Sequence, residues 1–118
     1  MKNASIVTIL GILGIGGLYA AQAYAATFSC TPAEIRERSS TLQVRCSNSI
    51  SLNGNTVSWL ALGVSDSERA RRFLSIATTA LVSKRRLIVD IPTVYAGQTG
   101  VLCNSSDCRI PTWFSVSD

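Results

Sequence analysis

Four cysteines, Cys30, Cys46, Cys103 and Cys108, constrain what this chain can fold into more than any other feature. One pair is sixteen residues apart and the other is close, in the stretch CNSSDC. All four follow an N-terminal leader with a single cation, Lys2, an apolar run from about Ile6 to Ala20, and then Ala23-Tyr24-Ala25, small residues flanking a large one. That pattern reads as a secretory signal peptide over residues 1–25, cut before Ala26. Four glycines, Gly11, Gly14, Gly16 and Gly17, interrupt the run, which is shorter than the ~20 residues of a membrane-spanning helix, so no span is expected after cleavage. The cysteines are therefore expected in an oxidising compartment, with the protein secreted or periplasmic.

The mature chain, residues 26–118, is long enough for one domain. A domain of that size buries only ~60 to 65% of its unfolded surface, so extra constraints are expected. A zinc site would usually add histidines or a second close cysteine pair, yet the sequence has no histidine and the other two cysteines are far apart. A redox centre would read C-x-x-C within a βαβ pattern, and neither is present. Two disulfides remain, with no metal and no cofactor expected. Cys103 and Cys108 close so short a loop that they should pair locally, which leaves Cys30 for Cys46.

From Thr41 to Leu52 the sequence alternates, with Leu42, Val44, Cys46, Asn48, Ile50 and Leu52 on one face and Gln43, Arg45, Ser47, Ser49 and Ser51 on the other. This is the period of a half-buried strand. Asn53-Gly54 follows, and both residues tolerate the positive φ of a type I′ hairpin turn. The return strand then places Val57, Trp59 and Ala61 with Leu52, so Trp59 is expected in the core. Its other face carries Leu60 and Leu62, so either the sheet curls around there or something docks on it, which makes the two a candidate docking surface. Upstream, TFSCTPAEIRERSS is a weaker strand with Pro32 at an edge or bend. A turn near Arg38 to Ser40 would make it antiparallel to the next strand and, if centred on Arg38, would set Cys30 opposite Cys46, each eight residues away.

SDSERARRFLSIATTALVSKRR predicts the one helix. Ser65 with Glu68 forms a capping box, and Ala70, Phe73, Leu74, Ala77, Ala80 and Leu81 form an apolar stripe. Lys84, Arg85 and Arg86 are expected to complement the negative end of the helix dipole. RRLIVDIP and RIPTWFSVSD supply two more strands. The predicted class is all-β with one helix, in the order β-β-β-α-β-β, that of a five-stranded OB-like Greek-key barrel. The alternative is a helix packed on an open, curled antiparallel sheet.

The chemistry predicted is binding. Without histidine the commonest general base is missing, the seven acids are scattered, and no motif singles out a serine nucleophile, so an enzyme is not expected. Removing Lys2 leaves ten Lys and Arg against seven acids, a net +3. A nucleic-acid partner would want aromatics interleaved along a basic groove, and Phe28, Trp59, Phe73, Tyr95, Trp113 and Phe114 are too few and too dispersed. Trp113, placed opposite Ile110, Phe114 and Val116, either covers a barrel end or stands exposed beside Tyr95, where the two would stack on a sugar or pack at an interface.

FSC, a second cysteine sixteen residues on in VRC, the run ALVSKRRLIVDIP and the terminal pair in CNSSDC resemble the binding subunits of pertussis-like AB5 toxins over about residues 28–109. That group includes the subtilase cytotoxin and typhoid toxin B subunits. The resemblance implies an OB fold, the same two disulfides, a homo-pentameric ring, a catalytic A subunit as partner and a host glycan as ligand. The toxin subunits carry a segment ahead of the first cysteine that contributes to the sugar site, and here only about four mature residues precede Cys30, so no glycan-contacting residue is carried over. Small exported bacterial proteins of unknown role share the same bare pattern. They imply the alternative, a monomeric periplasmic or envelope accessory module that binds another protein.

Overall fold

The computed structural model describes residues 25–118, so the expected signal peptide lies, apart from Ala25, outside the described residues. The protein is mostly β, with one helix and the two expected disulfides. Seven strands, two more than expected, accompany helix α1 (Ser67–Ser83), which follows the fourth of them: β1 (Ala25–Cys30), β2 (Pro32–Arg38), β3 (Thr41–Leu52), β4 (Asn55–Gly63), β5 (Leu87–Pro92), β6 (Cys108–Arg109) and β7 (Trp113–Val116). They form two sheets, in the orders β1-β5-β7 and β2-β3-β4-β6. All neighbours are antiparallel except β4 and β6.

Prolines account for the extra strands. The first expected strand breaks at Thr31-Pro32, and the last at Pro111, because proline has no N–H to give a ladder. At the first break, neighbouring groups take over the hydrogen bonding. The Asn48 amide donates to Ser29 O (2.6 Å) and accepts from the Thr31 N–H (2.8 Å), while the Ser47 N–H donates to Thr31 O (2.8 Å). At the second break the Thr112 N–H bonds Asp90 O (2.9 Å). Both kinks therefore carry one segment of chain from one sheet into the other.

The disulfide Cys30–Cys46 is present for a different reason from the one expected. The β2–β3 turn falls at Ser39-Ser40, with φ of 51° and 59°, and the cross-strand partner of Cys46 is Pro32. Cys30 pairs instead with Leu87 in the other sheet. The bond thus ties the two sheets together, with Cα atoms 5.3 Å apart. At the second hairpin, Asn53 and Gly54 take φ of 49° and 84°, the type I′ turn expected of this pair.

Helix α1 begins one residue later than the capping box implied. Asp66 is the N-cap, its carboxylate accepting from the Arg69 N–H (3.1 Å), while Glu68 pairs with Arg72 at 3.5 Å. The helix ends at Lys84 in the left-handed region, φ 59°, and the Arg85 N–H closes onto Ala80 O. Ala70, Phe73, Ala77 and Ala80 are buried as the stripe predicts, and Leu74 is exposed. Phe73 meets Phe114 of β7 edge-on, centroids 4.9 Å apart. The core between helix and sheets is completed by Phe28, Val44, Val57, Leu60, Leu87, Val89 and Ile91.

Candidate groove on the four-stranded sheet

The outward face of the four-stranded sheet is not the plain polar surface that alternation implies. Thr41 and Gln43, on the predicted solvent side of β3, are buried. The cause is the chain between β5 and β6, which crosses that face at Val101 and Leu102. The Leu102 N–H donates to Thr41 Oγ1 (2.9 Å), and the Gln43 amide donates to Leu102 O (2.9 Å). Two polar side chains thus hold one residue of backbone much as a neighbouring strand would.

A cavity of about 460 Å³ opens beside this crossing, lined by Arg36 and Arg38 of β2, Gln43 of β3, Trp59 of β4, and Val101, Leu102, Cys103, Asn104, Asp107 and Cys108 of the crossing segment and stapled loop. Arg36 links its parts. Its Nε donates to Gln43 Oε1 (2.8 Å), its guanidinium lies 4.3 Å from the Trp59 ring centroid, and Glu34 approaches at 4.0 Å while bonding Arg45 at 3.1 Å. The arginine is held over the aromatic face by a cation–π contact and by the amide.

Trp59 was expected in the core, and its outward position has a local cause. The Ser58 and Trp59 N–H groups both donate to Asp107 O, at 3.0 Å each. Two successive donors on one acceptor shift the alternation by one residue, as a bulge does. Val57 therefore faces the core before the shift, and Leu60 and Leu62 after it. These two leucines, expected as a docking surface, are 0% and 5% exposed and pair with Val44 and Leu42. No signal in the sequence marks this shift, because the acceptor is 48 residues away along the chain.

The far wall of the groove is rigid for its length. Cys103–Cys108 closes it covalently. Asn104 O accepts from the Cys108 N–H (2.9 Å), and Asn104 Oδ1 accepts from both the N–H and the hydroxyl of Ser106. Beneath it lies Arg109, 1% exposed, whose Nη1 donates to Ser105 O and Cys108 O and whose Nε donates to Pro92 O. Burial lowers the pKa of Arg109, offset in part by its attraction to Tyr95. Its partners are carbonyls rather than a carboxylate, so their dipoles must offset the cost of burying the charge.

Of the two aromatic residues expected side by side, Tyr95 belongs to this wall. Its hydroxyl donates to Cys103 O (2.6 Å) and its ring faces Arg109 at 5.8 Å. Trp113 is half exposed on β7, an edge strand of the other sheet, opposite Asp90. The two share no hydrogen bond or ring contact among the described residues. The groove thus combines an aromatic ring, guanidinium and amide donors and one carboxylate, a lining suited to stacking and hydrogen bonding. No protein-family model matches this chain, and no curated protein sequence does.

Proposed function

We propose that this chain is an exported, non-catalytic binding protein, built like the B subunit of a pertussis-like toxin, whose groove over β2, β3 and β4 holds a glycan. The observation that carries this reading is Trp59, turned outward and flanked by Arg36 in a cavity about 460 Å³ in volume. A sugar ring presents an apolar face and a rim of hydroxyls, and an aromatic beside fixed donors matches both.

The strand order supports an OB-like barrel. With β1 and β2 taken as one kinked strand, and β6 and β7 as another, five strands follow one another in the cyclic order first, second, third, fifth, fourth. In OB folds the second and third strands, with the loops joining strands one to two and four to five, form the ligand face. Here the groove is lined by Gln43 and Trp59 of those two strands, by Arg36 and Arg38 at the end of the first, and by the stretch of chain between β5 and β6. A homo-pentamer, and a catalytic A subunit as its partner, complete the toxin-like reading.

The test is a glycan array probed with the oxidised protein, followed by titration of any hit. Binding should be saturable, fall at least tenfold in Trp59→Ala or Arg36→Gln, and persist in Trp113→Phe. A folded protein that binds no glycan sinks the reading. Light scattering tests the assembly, with five times the chain mass expected. The second reading, a monomeric periplasmic or envelope accessory module, rests on the half-exposed Trp113 on a free sheet edge. A monomer whose captured protein partner is lost on Trp113→Ser would favour it.

A further inference from the structure

Charge is distributed very unevenly along this chain. Residues 69–89 carry six cations, Arg69, Arg71, Arg72, Lys84, Arg85 and Arg86, and no acid, while the rest of the described chain carries four cations against seven acids. Within the six, Arg69 is committed internally, donating to Pro111 O and Thr112 O beside the Phe114 ring, and Arg72 pairs with Glu68. Arg71, Lys84, Arg85 and Arg86 are exposed and belong to no ion pair among the described residues.

The helix dipole was expected to explain the last three, but the last turn of α1 holds no basic residue. Lys84 is the cap itself, in the left-handed region, and Arg85 and Arg86 lie beyond it. Their place at the negative end of the helix accounts for part of the cluster, but it leaves their charges without an ion-pair partner among the described residues. Next to the triplet stands Val82, 75% exposed and the most exposed large apolar side chain described. The helix surface leading to it is Ser75, Thr78 and Thr79, all exposed and uncharged. Unpaired cations and a protruding apolar residue thus gather at the C-terminal end of α1, where the one acid close in the fold is Asp118, next to the Ser117 that bonds Arg86.

We infer that this end of helix α1, Val82 with Lys84, Arg85 and Arg86, is a peripheral docking site for an anionic lipid surface. The cations supply attraction to headgroup phosphates, roughly 1 kcal/mol or about fivefold in affinity per residue near the surface. Val82 supplies the apolar contact that a purely electrostatic patch lacks. Nucleic acid is the poorer match, because this exposed face has no aromatic ring on which a base could stack. The glycan groove lies on another part of the protein, on the outward face of the four-stranded sheet, so this inference stands or falls independently of it.

Co-sedimentation of the oxidised mature protein with vesicles tests it. Binding to phosphatidylglycerol-containing vesicles is expected at low salt, weakening as salt rises, with none to pure phosphatidylcholine. Arg85→Gln should weaken it about fivefold, and Lys84→Gln/Arg85→Gln/Arg86→Gln on the order of 100-fold. Val82→Ser should weaken it several-fold. Arg45→Gln removes the same charge from β3 and should change binding less than twofold, which separates the patch from net charge. The inference is overturned if anionic and neutral vesicles bind alike, or if the triple variant binds as the parent does. Equal loss in Arg45→Gln and Arg85→Gln would overturn it too. Displacement by soluble polyglutamate at matched charge would reassign the patch to an acidic macromolecule.

Discussion

Replacing Cys30 and Cys46 together by alanine should remove more stability than the same change at Cys103 and Cys108. The first bond closes a loop of sixteen residues and the second a loop of five. In the chain-entropy account these contribute about 3 and about 2 kcal/mol. Cys30 lies in the three-stranded sheet and Cys46 in the four-stranded one, so the first bond also ties the sheets together. Both pairs lie in the core, so either replacement also leaves a void, which adds on the order of 1 kcal/mol and brings the first cost to about 4. A loss of about 4 kcal/mol corresponds to roughly 15 to 30 °C in Tm for a domain of this size. Urea titration monitored by far-UV circular dichroism, with the two double variants side by side, measures both costs. Equal costs, or a larger one for Cys103 with Cys108, would refute the view that the inter-sheet bond holds the architecture.

Smaller perturbations test the local assignments. Asp66→Ala should cost about 1 kcal/mol in chemical denaturation and Ser65→Ala under about 0.5, because the Asp66 carboxylate is the one that caps α1. Asn48→Ala removes the two bonds that bridge Ser29 and Thr31 at the kink, and should cost about 1 to 2 kcal/mol by the same measurement. Gly54→Ala, at φ 84°, should cost about 1 kcal/mol through backbone strain alone, since no atom lies within 4 Å of the added Cβ. Acrylamide should quench Trp113 fluorescence in a Trp59→Phe variant more strongly than Trp59 fluorescence in Trp113→Phe, since Trp113 is half exposed and Arg36 covers one face of Trp59.

Features governed by neighbours in the chain were legible in the sequence. Asn53-Gly54 encoded its own turn because both residues accept positive φ, and Cys103 found Cys108 because five residues leave little choice. The alternation of Leu87, Val89 and Ile91, and the apolar stripe of α1 at Ala70, Phe73, Ala77 and Ala80, specified their buried faces in the same way. Pro32 announced a bend. What it could not announce was that the bend transfers the chain to a second sheet, because that depends on Asn48 and Leu87, which are distant along the chain.

The candidate groove belongs almost entirely to the other category. Trp59 faces outward because Asp107 O accepts two successive donors from β4, and Gln43 is buried because Leu102 crosses it. Arg109 is buried where the Pro92 carbonyl meets the Ser105 and Cys108 carbonyls of its own loop. The bonds to Asp107, Leu102 and Pro92 join residues that the chain brings together only on folding, and periodicity within a strand carries no information about such partners. Local sequence therefore determined the elements and their core faces, whereas long-range hydrogen bonds decided which polar and aromatic side chains line the groove.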